Sequence, residues 1–240
     1  MASPIRLGML TPSSNTVLEP VTAAMLAGLH DITVHFSRFQ VTEIALDARA
    51  LGQFDDAPVL RAAELLAHAK VDVIAWNGTS AGWLGLDRDR RLVERIEAAT
   101  GIPAATCVLG YFELFRRLGI RRLGLASPYL AAVQSRICEV FAGEGITTTG
   151  EHHLGLRDNF SFATVSEAEI ETMFRALATA RPDAIVLLCT NMRGAGLAAR
   201  LEAELAIPIL DSVAVTLWAC LERLGLDRRP LHAWGRLFAA

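Results

Sequence analysis

The sequence predicts an α/β protein of two pseudo-symmetric lobes, each a short parallel sheet flanked by helices, with a cleft between them. The first observation behind this is a repeated design. The apolar run Val71-Asp72-Val73-Ile74-Ala75-Trp76 ends in the small, hydroxyl-rich tip Asn77-Gly78-Thr79-Ser80. Pro182-Asp183-Ala184-Ile185-Val186-Leu187-Leu188-Cys189-Thr190-Asn191 says nearly the same thing again, with Gly78 and Cys189 at equivalent places. The second observation is that other segments recur in the same order at similar spacing. Arg6-Leu7-Gly8 with Pro12 matches Arg122-Leu123-Gly124 with Pro128, and Ile102-Pro103 matches Ile207-Pro208. A duplication of roughly 110 residues is too long for a solenoid repeat and suits a small α/β lobe.

The elements follow in order. Ile5 to Leu10 reads as a short buried strand, and Thr11-Pro12-Ser13-Ser14-Asn15-Thr16 as a turn into a helix from about Val17 to Leu29. Ser and Thr are good N-caps, and a helix start offers unpaired N–H groups to an anion, so that turn either holds a carboxylate or merely caps the helix. Asp31 to Phe39 alternates as a strand, and Asp55-Asp56-Ala57-Pro58 starts an amphipathic helix over about 59–69. The strand 71–76 is apolar almost throughout, as a parallel strand covered on both faces should be. Its tip opens toward a helix at about 89–100, and strand ends of this kind are where open α/β sheets place ligands. A short strand over 102–107 and a helix over about 108–118, closed by Gly119, complete a first lobe of residues 1–118.

The second lobe, residues 119–240, repeats the plan. A strand over 123–127 turns at Pro128-Tyr129 into a helix over about 131–143, and 147–153 is a strand. A polar loop over 156–160 and a helix over about 167–180 lead to the strand 184–188 and the tip Cys189-Thr190-Asn191. A further helix, the strand 208–210 and a last helix over about 212–224, able to pack back on the first lobe, precede a tail from Arg228. Strands alternating with helices in each half give a parallel sheet per lobe.

Composition narrows the function. Of 240 residues, 52% are apolar and 20% charged, the profile of a globular protein with a large core. A formal charge of −3 provides no field to gather nucleic acid or an anionic membrane, and the arginine runs sit among acids or at helix ends. No apolar stretch reaches the roughly 18 residues of a membrane span, and no signal-peptide pattern opens the chain, so the expected location is the cytoplasm. Cys107, Cys138, Cys189 and Cys220 are too widely spaced for a metal pair or a disulfide framework, and His35, His68, His152 and His153 show no metal or triad spacing. Cys138 and Cys220, on helices, are expected in the core, while Cys107, at a strand end, either approaches the cleft or packs.

Facing lobes would put Gly78 and Cys189 on opposite walls of one crevice, framed by Pro12 to Asn15 and by Pro128-Tyr129. One wall then offers a thiol and the other backbone plus two hydroxyls. A cysteine at a strand-to-helix junction has N–H dipoles nearby to lower its pKa, and a thiol can pass a proton to or from carbon. The plain alternative for Cys189 is an inert core thiol. Trp76 and Trp83 are candidates to wall the pocket.

Several motifs together carry a family likeness. Gly8-Met9-Leu10-Thr11-Pro12-Ser13-Ser14-Asn15-Thr16-Val17 with Glu19, then Gly78-Thr79-Ser80, Ser127-Pro128-Tyr129, Asp158-Asn159-Phe160 and Cys189-Thr190, resemble the aspartate/glutamate racemase superfamily. Within it the pattern looks nearest to the maleate cis-trans isomerases and arylmalonate decarboxylases. The resemblance spans essentially the whole chain. It implies the racemase-like fold and a cofactor-free enzyme, with no metal, acting on carbon next to a carboxylate through a pair of cysteines, one per lobe. Here the second is Cys189 and the first is replaced by Gly78, which can neither supply an acid on the opposite face nor add to a double bond.

Arylmalonate decarboxylases are similar to this chain at that point, with glycine, then Thr-Ser, on one lobe and a lone cysteine on the other. By that similarity Thr79, Ser80, Tyr129 and Thr190, with backbone N–H groups, hold the carboxylate that becomes an enediolate, and Cys189 protonates it from one side. Pro12, Ser13, Ser14, Asn15, Gly78 and Asn159 complete the substrate site. Asn15 and Asn159 resemble the asparagines with which maleate isomerases grip a dicarboxylate, which favours a compact, doubly polar acid over a bulky aryl one. The expected partner is therefore a small carboxylic or dicarboxylic acid, with a homo-oligomer possible. Three functions remain open: a decarboxylase of a malonate-type acid, an isomerase or racemase in which Cys107, Thr79 or Ser80 replaces the missing thiol, and a carboxylate-binding protein without catalysis. On the first, Gly78→Cys is expected to add racemising activity.

Overall fold

The computed structural model describes residues 4–240. Its first half runs β1 (Ile5–Pro12), α1 (Leu18–Leu26), β2 (Ile32–Phe39), α2 (Ala48–Gly52), α3 (Asp56–His68), β3 (Val73–Trp76), α4 (Ala81–Leu84), α5 (Leu86–Thr100), β4 (Ala104–Thr106) and α6 (Cys107–Leu118). The second runs β5 (Arg122–Ser127), α7 (Ala131–Gly143), β6 (Thr147–His153), α8 (Glu167–Ala178), β7 (Ala184–Leu187), α9 (Ala195–Leu205), β8 (Ile209–Asp211) and α10 (Ser212–Arg223), with 3₁₀ turns at Ser161–Thr164, Arg229–Trp234 and Arg236–Ala239.

All strand pairs within the two sheets are parallel, and the sheets share one order: β2-β1-β3-β4 in the first and β6-β5-β7-β8 in the second. The registers repeat as well. Leu10 lies beside Trp76, and Trp76 beside Thr106; Ala126 lies beside Leu187, and Leu187 beside Asp211. Trp76 and Leu187 are thus structural mates, and Gly78 and Cys189 each stand two residues beyond their strand ends. The duplication read from the sequence is a duplication of fold. The central strands β3 and β7 are buried along their whole length, which their apolar sequences require of strands covered on both faces.

Local chemistry accounts for the helix limits. Gly119 closes α6 in the left-handed region, φ 67°, with its N–H on the Phe115 carbonyl, and a Ser166–Glu169 capping box starts α8. α1 stops at Leu26 rather than Leu29, just before Gly28, a poor helix former. α5 begins at Leu86, three residues earlier than its charge pattern suggests, because Gly85 at φ 94° separates it from α4. The four- and five-residue helices α4 and α2 are too short for any periodicity to reveal.

The lobes are joined along several seams, among them α4 against α7. On one side α10 packs against α6, β4, β3 and α1. Buried there, the Tyr111 hydroxyl lies 3.0 Å from the carbonyls of Leu187 and Leu210 and from the Ser212 hydroxyl. Cys107 and Ser212, each opening the last helix of its repeat, meet at this axis, Sγ to carbonyl, at 3.4 Å. On the other side the segment after β2 crosses to the second lobe. Ile44 N–H donates to the Arg157 carbonyl at 2.9 Å, Asn159 N–H to the Thr42 carbonyl at 2.9 Å, and Glu43 forms an antiparallel bridge with Asp158. Arg157 fastens this seam with bonds to Glu43 (2.7 Å) and Asp47 (2.6 Å). Among the described residues no helix is long and apolar enough to cross a membrane.

Candidate active site

Between the lobes lies a small cavity with room for the centre of a water-sized sphere over only about 20 Å³. Pro12 enters from β1, Gly78, Thr79 and Ser80 from the β3 tip, Cys189 and Thr190 from the β7 tip, and Tyr129 and Asn159 from second-lobe loops. Val41, Ile44, Phe54, Trp76 and Trp83 make the apolar remainder. The cross-lobe seam after β2 is the roof, since Val41 and Ile44 belong to it. Larger hollows, such as that of about 250 Å³ between β4, α6 and α10, hold none of these residues.

Cys189 is buried, 2% exposed, with its Sγ accepting the Asn191 N–H at 3.3 Å. Burial pushes the thiol up to about 12, and the Asp211 carboxylate adds to the rise; the Asn191 N–H and the Tyr129 hydroxyl oppose it without prevailing. The N–H dipoles expected to lower this pKa are therefore outweighed by desolvation, and the group is a neutral thiol at pH 7. Tyr129, raised by the same burial, stands between the walls, with its hydroxyl 2.7 Å from Thr79 Oγ1 and close to Cys189.

The lining offers donors and no cation. No protein acceptor is found among the described residues for the backbone N–H groups of Thr79, Ser80 and Thr190. The Trp83 indole N–H is likewise buried without an acceptor, a signal the sequence showed only as a candidate wall residue. Its ring is held edge-on against Phe54 and Tyr129, at centroid distances of 5.7 and 5.3 Å. Unpaired N–H groups in a buried pocket fit an anion's oxygens.

The turn before α1 serves differently from the expectation that it receives a carboxylate. Asn15 Oδ1 accepts the Val17 and Leu18 N–H groups at 2.9 and 3.0 Å, and Asn191 Oδ1 accepts that of Thr16 at 3.0 Å, so the helix start is already satisfied. Asn15 Nδ2 donates to Thr190 Oγ1 at 3.0 Å, which places Asn15 behind the cavity as a brace for Thr190. Ser13 and Ser14 also stand outside the lining and hold the roof, Ser14 Oγ donating to the Val41 carbonyl at 2.6 Å and Ser13 Oγ accepting the Val41 N–H at 3.1 Å. Asn159 lines the cavity, but its Nδ2 is given to Ser14 Oγ at 2.7 Å.

Cys107 turns away from the cavity toward Ser212, because residue 107 begins α6 instead of ending β4, and burial raises its thiol to about 12. Cys220 is buried, whereas Cys138 is only partly so, a correction to its expected place in the core. His153 pairs with Glu151 on β6 away from the pocket.

Gly78 faces a feature that no motif announced. A Cβ added there would stand 2.6 Å from Cε2 of the Trp76 indole and nearer still to its Cζ2 and Cη2. Trp76 thus fills the space that a side chain at 78 would need, and Gly78→Cys requires the indole to shift. The indole N–H lies 3.3 Å from Ser80 Oγ, and its ring packs on Phe39 at 5.0 Å.

Two lobes with matching sheet orders, a thiol-bearing tip facing a bare one, and a donor-rich pocket agree with what known proteins show. A sequence model of the arylmalonate decarboxylase family matches residues 7–238. The chain is 26% identical over 234 residues to a maleate isomerase of Pseudomonas putida, covering 92% of each, and 25% identical over 240 residues to an arylmalonate decarboxylase of Bordetella bronchiseptica, covering 99% of this chain and 98% of that one. Its fold matches that of a Nocardia farcinica maleate cis-trans isomerase mutant with a covalently bound succinylcysteine intermediate, at a TM-score of 0.89, 21% identity and 98% of each chain. The racemase-like fold, the repeat and the family match over nearly the whole length establish that the chain belongs to the arylmalonate decarboxylase family of enzymes.

Proposed function

We propose that the protein is a cofactor-independent lyase that decarboxylates a compact malonate-type acid, with Cys189 as the single proton donor. The observation that carries this is the pairing of a neutral thiol at 189 with a position 78 where Trp76 leaves no room for a second one. Chemistry that needs two acids, or a resting thiolate to attack a double bond, lacks its parts. One neutral thiol suffices to protonate a carbanion from one side.

In this reading the carboxylate that stays on the substrate is held by Thr79, Ser80 and Tyr129 and by the unpaired N–H groups of Thr79, Ser80, Thr190 and Trp83. The other carboxylate lies against the apolar part of the lining, where water is excluded and its charge is poorly solvated. Its bond to the central carbon breaks, carbon dioxide leaves, and the electron pair moves into the retained carboxylate as an enediolate. Preorganised donors facing that growing charge contribute about 3 kcal/mol each. The Cys189 S–H then gives its proton to the carbon, and the thiolate beside the Tyr129 hydroxyl recovers one from water. Asn15, Asn159, Ser13 and Ser14 position Thr190 and the roof.

Proton NMR of the purified protein with malonate, methylmalonate and maleate in deuterated buffer tests this. Loss of carbon dioxide with deuterium entering the product carbon, abolished in Cys189→Ala, is the expected result. Conversion of maleate to fumarate, or unchanged turnover in Cys189→Ala, would overturn it.

A further inference from the structure

We infer that Trp76 is the specificity residue of this site: its indole, standing over Gly78, limits the group on the reacting carbon to a small one and holds the chemistry to one face. Malonates with hydrogen or methyl on the central carbon are accepted, and those with an aryl group are excluded by Trp76 rather than by the lobes themselves. The inference rests on the lyase reading only for its choice of malonates as probes.

The indole is a partition. Beside it lies a second small hollow, bounded by Phe39, Val59, Asp89 and Leu92, in which Phe54, Trp76 and Ser80 are again wall residues. The two hollows give a water-sized sphere about 20 and 10 Å³ of room, about one water each. Neither holds even malonate without movement of the lining, so the bound acid displaces part of it, and the indole bounds the room left toward α5. Together, with the indole cut back, they form one chamber running from Cys189 past Gly78 toward α5. The partition is held by the hydrogen bond to Ser80, by a tilted contact with Phe39 and by burial in the core. The Asp89 carboxyl at the far end is buried with Oδ2 unpartnered, so the enlarged chamber would also offer an acceptor at its end.

The same indole explains why the first tip can be bare. The mate of Trp76 in the other lobe is Leu187, with a smaller side chain, and two residues on the sulphur of Cys189 has its place. A tryptophan two residues before a tip and a side chain at that same tip compete for one space.

The experiment has two arms, neither of which reads turnover. In the first, the melting temperature of Gly78→Ala is compared in the parent and in a Trp76→Val background, with Trp76→Phe as the milder cut should Trp76→Val fold poorly. A fall of several degrees in the parent and little or none in the cut-back background is expected, because the atoms nearest the added methyl are all on the indole. Equal losses in both would refute the steric claim. In the second, calorimetric dissociation constants for methylmalonate and phenylmalonate are measured in Cys189→Ala with and without the Trp76 change. The preference for phenylmalonate over methylmalonate should rise at least 10-fold when Trp76 is cut back. An unchanged ratio, or no binding of either acid in either protein, would overturn the inference. A protein that binds with this altered preference yet never releases carbon dioxide would leave Trp76 as the size filter and remove the lyase reading.

Discussion

Cys189 should resist alkylation until strongly alkaline pH, and the size of the effect follows from its surroundings. An ordinary cysteine with a pKa of 9.0 is about one-tenth thiolate at pH 8; a thiol pushed up to about 12 is thiolate only about one part in 10⁴. The difference, about 3 pH units, corresponds to roughly 4 kcal/mol of burial cost on the charged form. Iodoacetamide should therefore modify Cys189 about a thousand times more slowly at pH 8 than an exposed thiol, with a rate still climbing beyond pH 11. Cys138, partly buried and raised less, is the internal control in a site-resolved mass-spectrometric time course. The catalytic counterpart is an alkaline limb of kcat that stays flat to about pH 10, since the proton-donating form persists. Alkylation of Cys189 as fast as Cys138 at pH 8, or an inflection below pH 9, would refute the neutral-thiol argument and with it the single-donor mechanism.

Other outcomes follow from the same geometry. Tyr129→Phe and Thr79→Val each remove one hydroxyl from the 2.7 Å pair at the cavity, and each should lower kcat by about 10²-fold while leaving the melting temperature within a few degrees. Trp83→Phe deletes a buried N–H with no protein acceptor; acid binding should weaken by about 10-fold, without loss of fold, and unchanged affinity would exclude a role for that N–H. Asp89 is raised by burial to about 7, against the opposing Thr106 hydroxyl and Arg88 charge. Its contribution to stability is then present below about pH 4 and lost as pH rises toward about 7, up to about 4 kcal/mol. Asp211, raised alike, does the same. Asp89→Asn should remove about half of the stability change between pH 4 and 7, and an unaltered thermal profile would contradict the assignment. Arg157→Ala should loosen the roof and raise KM more than it lowers kcat, with a change in global stability of no more than the small amount expected of exposed ion pairs.

The sequence by itself determined the two-lobed plan and the place of the site. Both follow from short-range chemistry: apolar runs of strand length bounded by glycine, proline and hydroxyl residues, stated twice in one order. Equivalence of the two strand tips needed nothing more than the spacing of Gly78 and Cys189, and the sheets realise it in register. What surrounds those tips came from the tertiary structure alone. Cys189 is a neutral thiol because neighbours distant in the chain keep water from it, and no local pattern states desolvation. Ser13, Ser14 and Asn15 read as ligand-binding helix-start residues because their partners, Val41 and Thr190, lie up to 175 positions away. Trp76, the residue before the tip by two, looked like a wall because its direction is set by Phe39 and Ser80. Only packing could show that its ring stands where a second thiol would have been, since volume, unlike hydrophobicity, is a property of the assembled neighbours.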